Sequence, residues 1–340
     1  RGLGDVYKRQ DYLTDNKTFK SSYRFQIFSQ IKQWHQSMSP PMAEIIHIFK
    51  FNDWINIKPN NSFKNYGEPL MKKLKIYISV DMEGVTGVIN WEEVDEEKRQ
   101  SDYQYFRKIM TDEVNAAIDG AQQSGANEIV VRDAHGTARN IIPDQLNENT
   151  RLLRAWASGP FSMMEGIDNS FDAAIFVGYH AKAMTAAGTL AHTMRGDIFD
   201  LRVNGTSLPE FGWNALIAGY FDVPVIFVCG DNLICEQAKG LIPQIETVAV
   251  KQGIGEANLN LHPNKSRELI KAGVSNAIGR LTEFQPLKWQ APYHFEVMVK
   301  KTHLANRAAW YPGAKRVNDY SVALTCNDFL DCLRFLYFIH

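Results

Sequence analysis

The sequence predicts an α/β domain built on a largely parallel central sheet flanked by helices, with a projecting β-hairpin, and three observations carry that reading. Short apolar runs alternate with segments of helical period, the order that parallel strands joined by crossover helices require. The run FDAAIFVGY is apolar at nearly every position, as in a strand covered on both faces. Asn204-Gly205, set between LRV and TSL, has the residue types of a tight hairpin turn.

The elements follow in order. LKIYISV, Leu74 to Val80, is the first strand. A helix is expected from about Asp102, with Phe106, Ile109, Val114 and Ala117 near helical spacing and Gly125 as its stop signal. EIVVRD, Glu128 to Asp133, and FDAAIFVGY, Phe171 to Tyr179, are the next two strands. Glu210 to Phe221 reads as a helix leading into the buried strand PVIFVCG. TVAVKQ, a helix around Arg267 to Leu281, HFEVMV and a final apolar helix complete a domain that spans 71–340.

Residues 1–70 read differently. They are poor in alanine, rich in Asn, Lys, Phe and Ser, and lack a sustained period, so they are expected to be a non-native or disordered extension. DVYKRQ, Asp5 to Gln10, back-translates into a transposon end of the kind used to prepare sequencing libraries, and Gly67-Glu68 into a ribosome-binding pattern ahead of Met71. Translation is therefore expected to start at Met71.

Composition narrows the function classes. The chain of 340 residues is 45% hydrophobic with a formal net charge of -1, which gives no electrostatic reason to invoke nucleic acid or an anionic membrane as a partner. No apolar run is long enough to span a bilayer. Cys229, Cys235, Cys326 and Cys332 lack CxxC spacing, which suits free thiols in a cytoplasmic protein.

The polar residues then fall in a pattern. ISV runs into Asp81-Met82-Glu83, VVR into Asp133-Ala134-His135, and FVGY into His180. In a parallel sheet those strand ends share one edge, and ligands bind at that edge. Asp81 and Glu83, two apart on extended chain, face one side. Two bare carboxylates there would repel each other and resist desolvation, and a cation removes both penalties. Carboxylate and imidazole donors without thiolate suit zinc in a catalytic setting, and also manganese or cobalt. Each motif alone is compatible with a solvated strand end, a satisfied core histidine or a loop cap. Their joint placement after three strands points to a metal centre. Spacing alone does not select Glu210 or His192.

The segments SVDMEGVTG, VVRDAHG, PFSMMEGID, FVGYHAKA, LAHTM and LPEFGWNALIAGYFDVPVIFVCGD resemble, in order, the zinc-dependent D-aminopeptidases of the DppA type, peptidase family M55. The resemblance implies two Zn2+ per subunit bridged by Asp81, with Glu83 and His180 completing one ion and His135 and Glu210 the other. It implies His192 as the active-site histidine, a small peptide with an N-terminal D-residue as substrate, and a ring-like homo-oligomer, a decamer being one such form. Paired divalent ions activate a water and polarise the scissile carbonyl. Two readings stay open beside it: a dinuclear amidohydrolase or L-peptide aminopeptidase of the same superfamily, and a non-catalytic peptide-binding component.

Overall fold

Strand β1 (Leu74–Val80) is buried on both faces from Ile76 onward, and the rest of the central sheet assembles around it. The computed structural model describes residues 73–98 and 100–339, which lie within the unit Leu70–His340. The expectations for residues 1–70 and for a start at Met71 lie outside the described residues. From β1 the chain runs through helix α1 (Gln100–Gln123), β2 (Ala126–Asp133), β3 (Arg151–Leu153) and β4 (Ala173–Tyr179). It leaves for β5 (Ile198–Val203) and β6 (Thr206–Ser207), then returns through α2 (Glu210–Tyr220) to β7 (Val225–Asp231). Helix α3 (Asn232–Leu241), β8 (Glu246–Ile254), β9 (Ala257–Asn260) and α4 (Pro263–Gly279) follow. The final elements are β10 (Tyr293–Val299), α5 (Thr302–Ala308), β11 (Lys315–Arg316), β12 (Ser321–Cys326) and α6 (Phe329–Ile339).

The central sheet has the order β3-β2-β1-β4-β7-β8-β9, parallel throughout except for the antiparallel edge pair β8–β9. The chain first builds outward from β1 through β2 and β3, then crosses to the other side of β1 to lay down β4. The carboxyl ends of β1 and β4 therefore flank the point where the winding reverses, where such sheets leave a crevice. Alternation distributes β1 between two cores. Ile76, Ile78 and Val80 pack with Val114 of α1 and Ile270 and Val274 of α4. Tyr77, on the opposite face, shares its core with Phe176 of β4 and Phe211 of α2. Both faces are apolar because both are covered.

The Asn204-Gly205 hairpin is present, with Asn204 at φ 50° and Gly205 at φ 80°. It forms the edge of a second sheet, ordered β11-β12-β10-β5-β6, in place of a lone projection. That sheet pairs antiparallel and packs on α2 and α6, with the rings of Trp213 and Phe295 5.2 Å apart. Its partner strands lie more than ninety positions downstream in the chain, a separation that local pattern does not reveal. Helix α3 starts at the N-cap Asp231, whose carboxylate accepts from the Ile234 N–H, and ends two residues before Pro243. Among the described residues, no helix is long and apolar enough to cross a membrane.

One glycine decides how β1 and β4 end. Gly178 sits at φ +72°, and a Cβ there would lie 2.2 Å from the Asp81 carbonyl oxygen. Its carbonyl accepts from the Gly84 N–H at 2.8 Å, so the chain leaving β1 folds directly over the end of β4. Gly178→Ala is expected to cost about 2 kcal/mol or more, because it combines a left-handed backbone with a backbone clash. Denaturant unfolding checks this, and wild-type stability in the variant contradicts it.

Candidate metal centre

Asp81 enters the crevice because its own N–H continues the ladder to Val177 O at 2.8 Å, which fixes the strand direction up to the carboxylate. The Ala134 N–H does the same for β2, bonding Val80 O at 2.9 Å, and delivers His135 beside it. Asp133 takes no part in the centre. Its carboxylate accepts from the Asn140 N–H (2.6 Å), the Ile141 N–H (2.8 Å) and Asn140 Nδ2 (2.8 Å), which closes the loop behind His135. Glu210 is the first residue of α2, where the helix dipole favours a carboxylate, and its Oε1 accepts from the Met194 N–H at 2.6 Å.

The three histidines share one device. Each lies within hydrogen-bond distance of a backbone carbonyl through one ring nitrogen: His135 Nε2 to Val94 O, His180 Nδ1 to Ala181 O and His192 Nδ1 to Leu190 O, all at 2.9 Å. A neutral imidazole that donates there turns its other nitrogen, with a lone pair, toward the carboxylates. This is the orienting contact that metal-ligating histidines make. His135 Nδ1 lies 3.3 Å from Asp81 Oδ1 and 3.0 Å from Glu83 Oε2. His180 Nε2 lies 3.4 Å from Asp81 Oδ2 and 3.6 Å from Glu210 Oε1. His192 Nε2 lies 3.5 Å from Glu210 Oε1 and 3.8 Å from Glu83 Oε1, and its ring stacks on His180 at 4.2 Å. All six residues expected at the site therefore converge.

Their donor atoms form three triplets, each within 4.8 Å: Asp81, Glu83 and His135; Asp81, His180 and Glu210; and Glu83, His180 and His192. Asp81 belongs to two of them, with Oδ1 facing His135 and Oδ2 facing His180, as in a bridging carboxylate. Around Asp81, Glu83 lies beside His135 and Glu210 beside His180 and His192, and the third triplet brings Glu83 within reach of His180 as well. Two buried atoms in the middle, Asp81 Oδ2 and His180 Nε2, have no hydrogen-bond partner. Orphaned acceptors facing a shared volume fit a cation, and this donor set fits zinc.

Electrostatics point the same way. Burial, reinforced by Glu83 and Glu210, pushes Asp81 up to about 8. Burial also works against ionised Glu83, but His135, His192 and His180 together outweigh it and hold that carboxyl well below the usual range. Burial opposes a charged His180, yet Glu210 and Asp81 raise it to about 10. Without a cation, the cluster holds protons where a metal would sit.

A cavity of about 670 Å³ opens onto these groups. Trp91, Trp156 and Pro160 form part of its wall, and Leu333, Leu336 and Tyr337 of α6 contribute another part. Its lining is rich in acids, including Asp95, Glu96, Glu97 and Glu165, while Arg195 is held by both oxygens of Asp197 at 2.9 Å. Sequence reasoning missed these wall residues.

The sequence model of peptidase family M55, described as D-aminopeptidase, matches residues 74–338. A D-aminopeptidase of Bacillus subtilis (strain 168) is 38% identical over 215 residues, covering 63% of this chain and 77% of that protein. Among solved structures, the Zn-dependent D-aminopeptidase DppA from Bacillus subtilis, titled a self-compartmentalizing protease, aligns with a TM-score of 0.75. It is 34% identical, and the match covers 78% of this chain and 96% of that one.

Zinc binding to the metal-free protein is expected to release protons. Asp81, with its value raised to about 8, keeps a proton below that pH, and the cation must displace it. Affinity should therefore climb as pH rises from about 6 to about 8. Calorimetry at pH 7 in buffers of different ionisation enthalpy measures the release, and zero protons released contradicts the expectation.

Proposed function

The chain belongs to peptidase family M55, the D-aminopeptidases, and from that premise we propose that it removes the amino-terminal residue from short peptides that begin with a D-amino acid, D-alanine being the type case. The observation that carries the reading is Asp81, which lies in two donor triplets with one oxygen 3.3 Å from His135 Nδ1 and the other 3.4 Å from His180 Nε2. Asp81, Glu83, His135, His180 and Glu210 would hold two zinc ions, and manganese or cobalt suit the same oxygen and nitrogen donors. Such ions, when bound, lower the pKa of water toward neutrality and polarise a carbonyl.

The chain's own groups do the rest. His192 reaches the cavity with a side chain 15% exposed, against 1% for His180. Leu190 O fixes its Nδ1, so Nε2 is the atom that takes a proton from the attacking water and returns it to the leaving amine. The edge of Trp91 packs against the ring at 5.2 Å and restricts its swing. The acid-rich wall draws in a free N-terminal ammonium, and a cavity of about 670 Å³ suits a short peptide. The proximity of His192 Nε2 to Glu83 and His180 favours a second reading, in which His192 is itself a ligand.

The Bacillus subtilis DppA is titled self-compartmentalizing, and we extend that to this chain as a ring-like homo-oligomer such as a decamer. We place it in the cytoplasm, where its four cysteines, all free, stay reduced.

D-Ala-D-Ala should be cleaved by the zinc-loaded protein at least about 100-fold faster than L-Ala-L-Ala, a discrimination of about 2.7 kcal/mol. Exhaustive chelation should abolish turnover; unchanged turnover or equal rates on both peptides contradict the proposal. Asp81→Ala should lose both ions, as metal analysis reads. His192→Ala should keep its metal content while kcat falls by about 10²- to 10⁴-fold. Loss of metal in that variant selects the second reading.

A further inference from the structure

Lys251 lies on β8 with 2% of its surface exposed. A buried ammonium is tolerated only when its donors find partners. Its Nζ donates to three backbone carbonyls, those of Glu83, Val85 (3.2 Å) and Val88 (2.7 Å). All three belong to the loop that leaves β1 carrying Asp81 and Glu83.

That loop travels far. In the sheet order β1-β4-β7-β8, Lys251 stands on the third strand away from β1. Gly84 crosses the end of β4 so closely that a Cβ would lie 1.8 Å from Tyr179 O, and the Gly87 N–H donates to Asn260 Oδ1 on β9 at 3.0 Å. Thr86 is clamped separately, its hydroxyl donating to Glu113 Oε1 (2.5 Å) on α1 and lying 2.7 Å from Ser266 Oγ on α4.

One peptide unit is the pivot. The plane joining Glu83 to Gly84 is pinned through its N–H by Gly178 O and through its carbonyl by Lys251. A peptide followed by glycine has unusual freedom to flip, because glycine accepts both signs of φ. Those two anchors hold in place the backbone from which the Glu83 side chain reaches His135 and Asp81. We propose that Lys251 is a positioning residue for the metal centre: it locks the Glu83–Gly84 peptide so that Glu83 meets the cation in a preformed geometry. The proposal rests on the metal-centre reading above.

The test is zinc titration calorimetry on metal-free protein, independent of turnover. Lys251→Met should weaken zinc binding by about 10- to 100-fold, the range for groups that orient a ligand. Val274→Ala, a cavity variant in the core under α4, serves as the destabilised control and should stay within about twofold of wild type. Should Lys251→Met not fold, Lys251→Gln is titrated in its place, and a loss above about threefold is expected because a neutral amide replaces one donor set of the ammonium. Zinc affinity within twofold of wild type in the folded lysine variant overturns the proposal while leaving the metal centre standing. Wild-type protein that binds no zinc overturns both.

Discussion

Three carboxylates and three imidazoles occupy one buried volume, and their mutual electrostatics is the constraint that the surrounding structure answers. Asp81, Glu83 and Glu210 are each no more than 3% exposed, so water screens them little. Left to themselves they compete for protons, and the fold resolves that competition only in part: Glu83 is held ionised by His135, His192 and His180 while Asp81 is driven toward its neutral form. Divalent cations satisfy all three at once. A stable fold has no reason to bury such a cluster, since apolar side chains of equal volume would avoid the desolvation cost.

The scaffold places these groups through backbone contacts, with few side-chain braces. The reversal of winding beside β1 opens the crevice, and the ladder bonds of Asp81 and Ala134 extend the strands to its rim. Carbonyls of Val94, Ala181 and Leu190 then set the three rings. Because those carbonyls sit on loops, the site's precision depends on loop geometry, and the one between β4 and β5, which carries Ala181 and Leu190, holds four non-glycine residues at positive φ: Met184, Ala187, Leu190 and Met194. Strain gathered in the segment that carries His192 is consistent with a backbone shaped for function over stability.

The central sheet was legible because buried parallel strands leave apolar runs and because their polar ends, Asp81, Glu83, His135 and His180, fall at fixed positions after them. Glu210 and His192 were legible only through the likeness of their motifs, LPEFG and LAHTM, since neither follows a strand of the parallel set. The second sheet was hidden by sequence distance: β5 pairs with β10 across more than ninety residues. Asp133 shares a motif with His135, yet three hydrogen bonds commit it to its own loop. Lys251 was hidden for the opposite reason, because its partners are backbone carbonyls, and a carbonyl has no residue-type signature.

The central claim is that Asp81 is shared between two cations. Anomalous diffraction at the zinc edge from crystals of the metal-loaded protein tests it most directly. The account predicts two peaks on either side of the Asp81 carboxylate, one within bonding distance of each oxygen, with His135 nearest one and His180 nearest the other. A single peak, or peaks remote from Asp81, would contradict it.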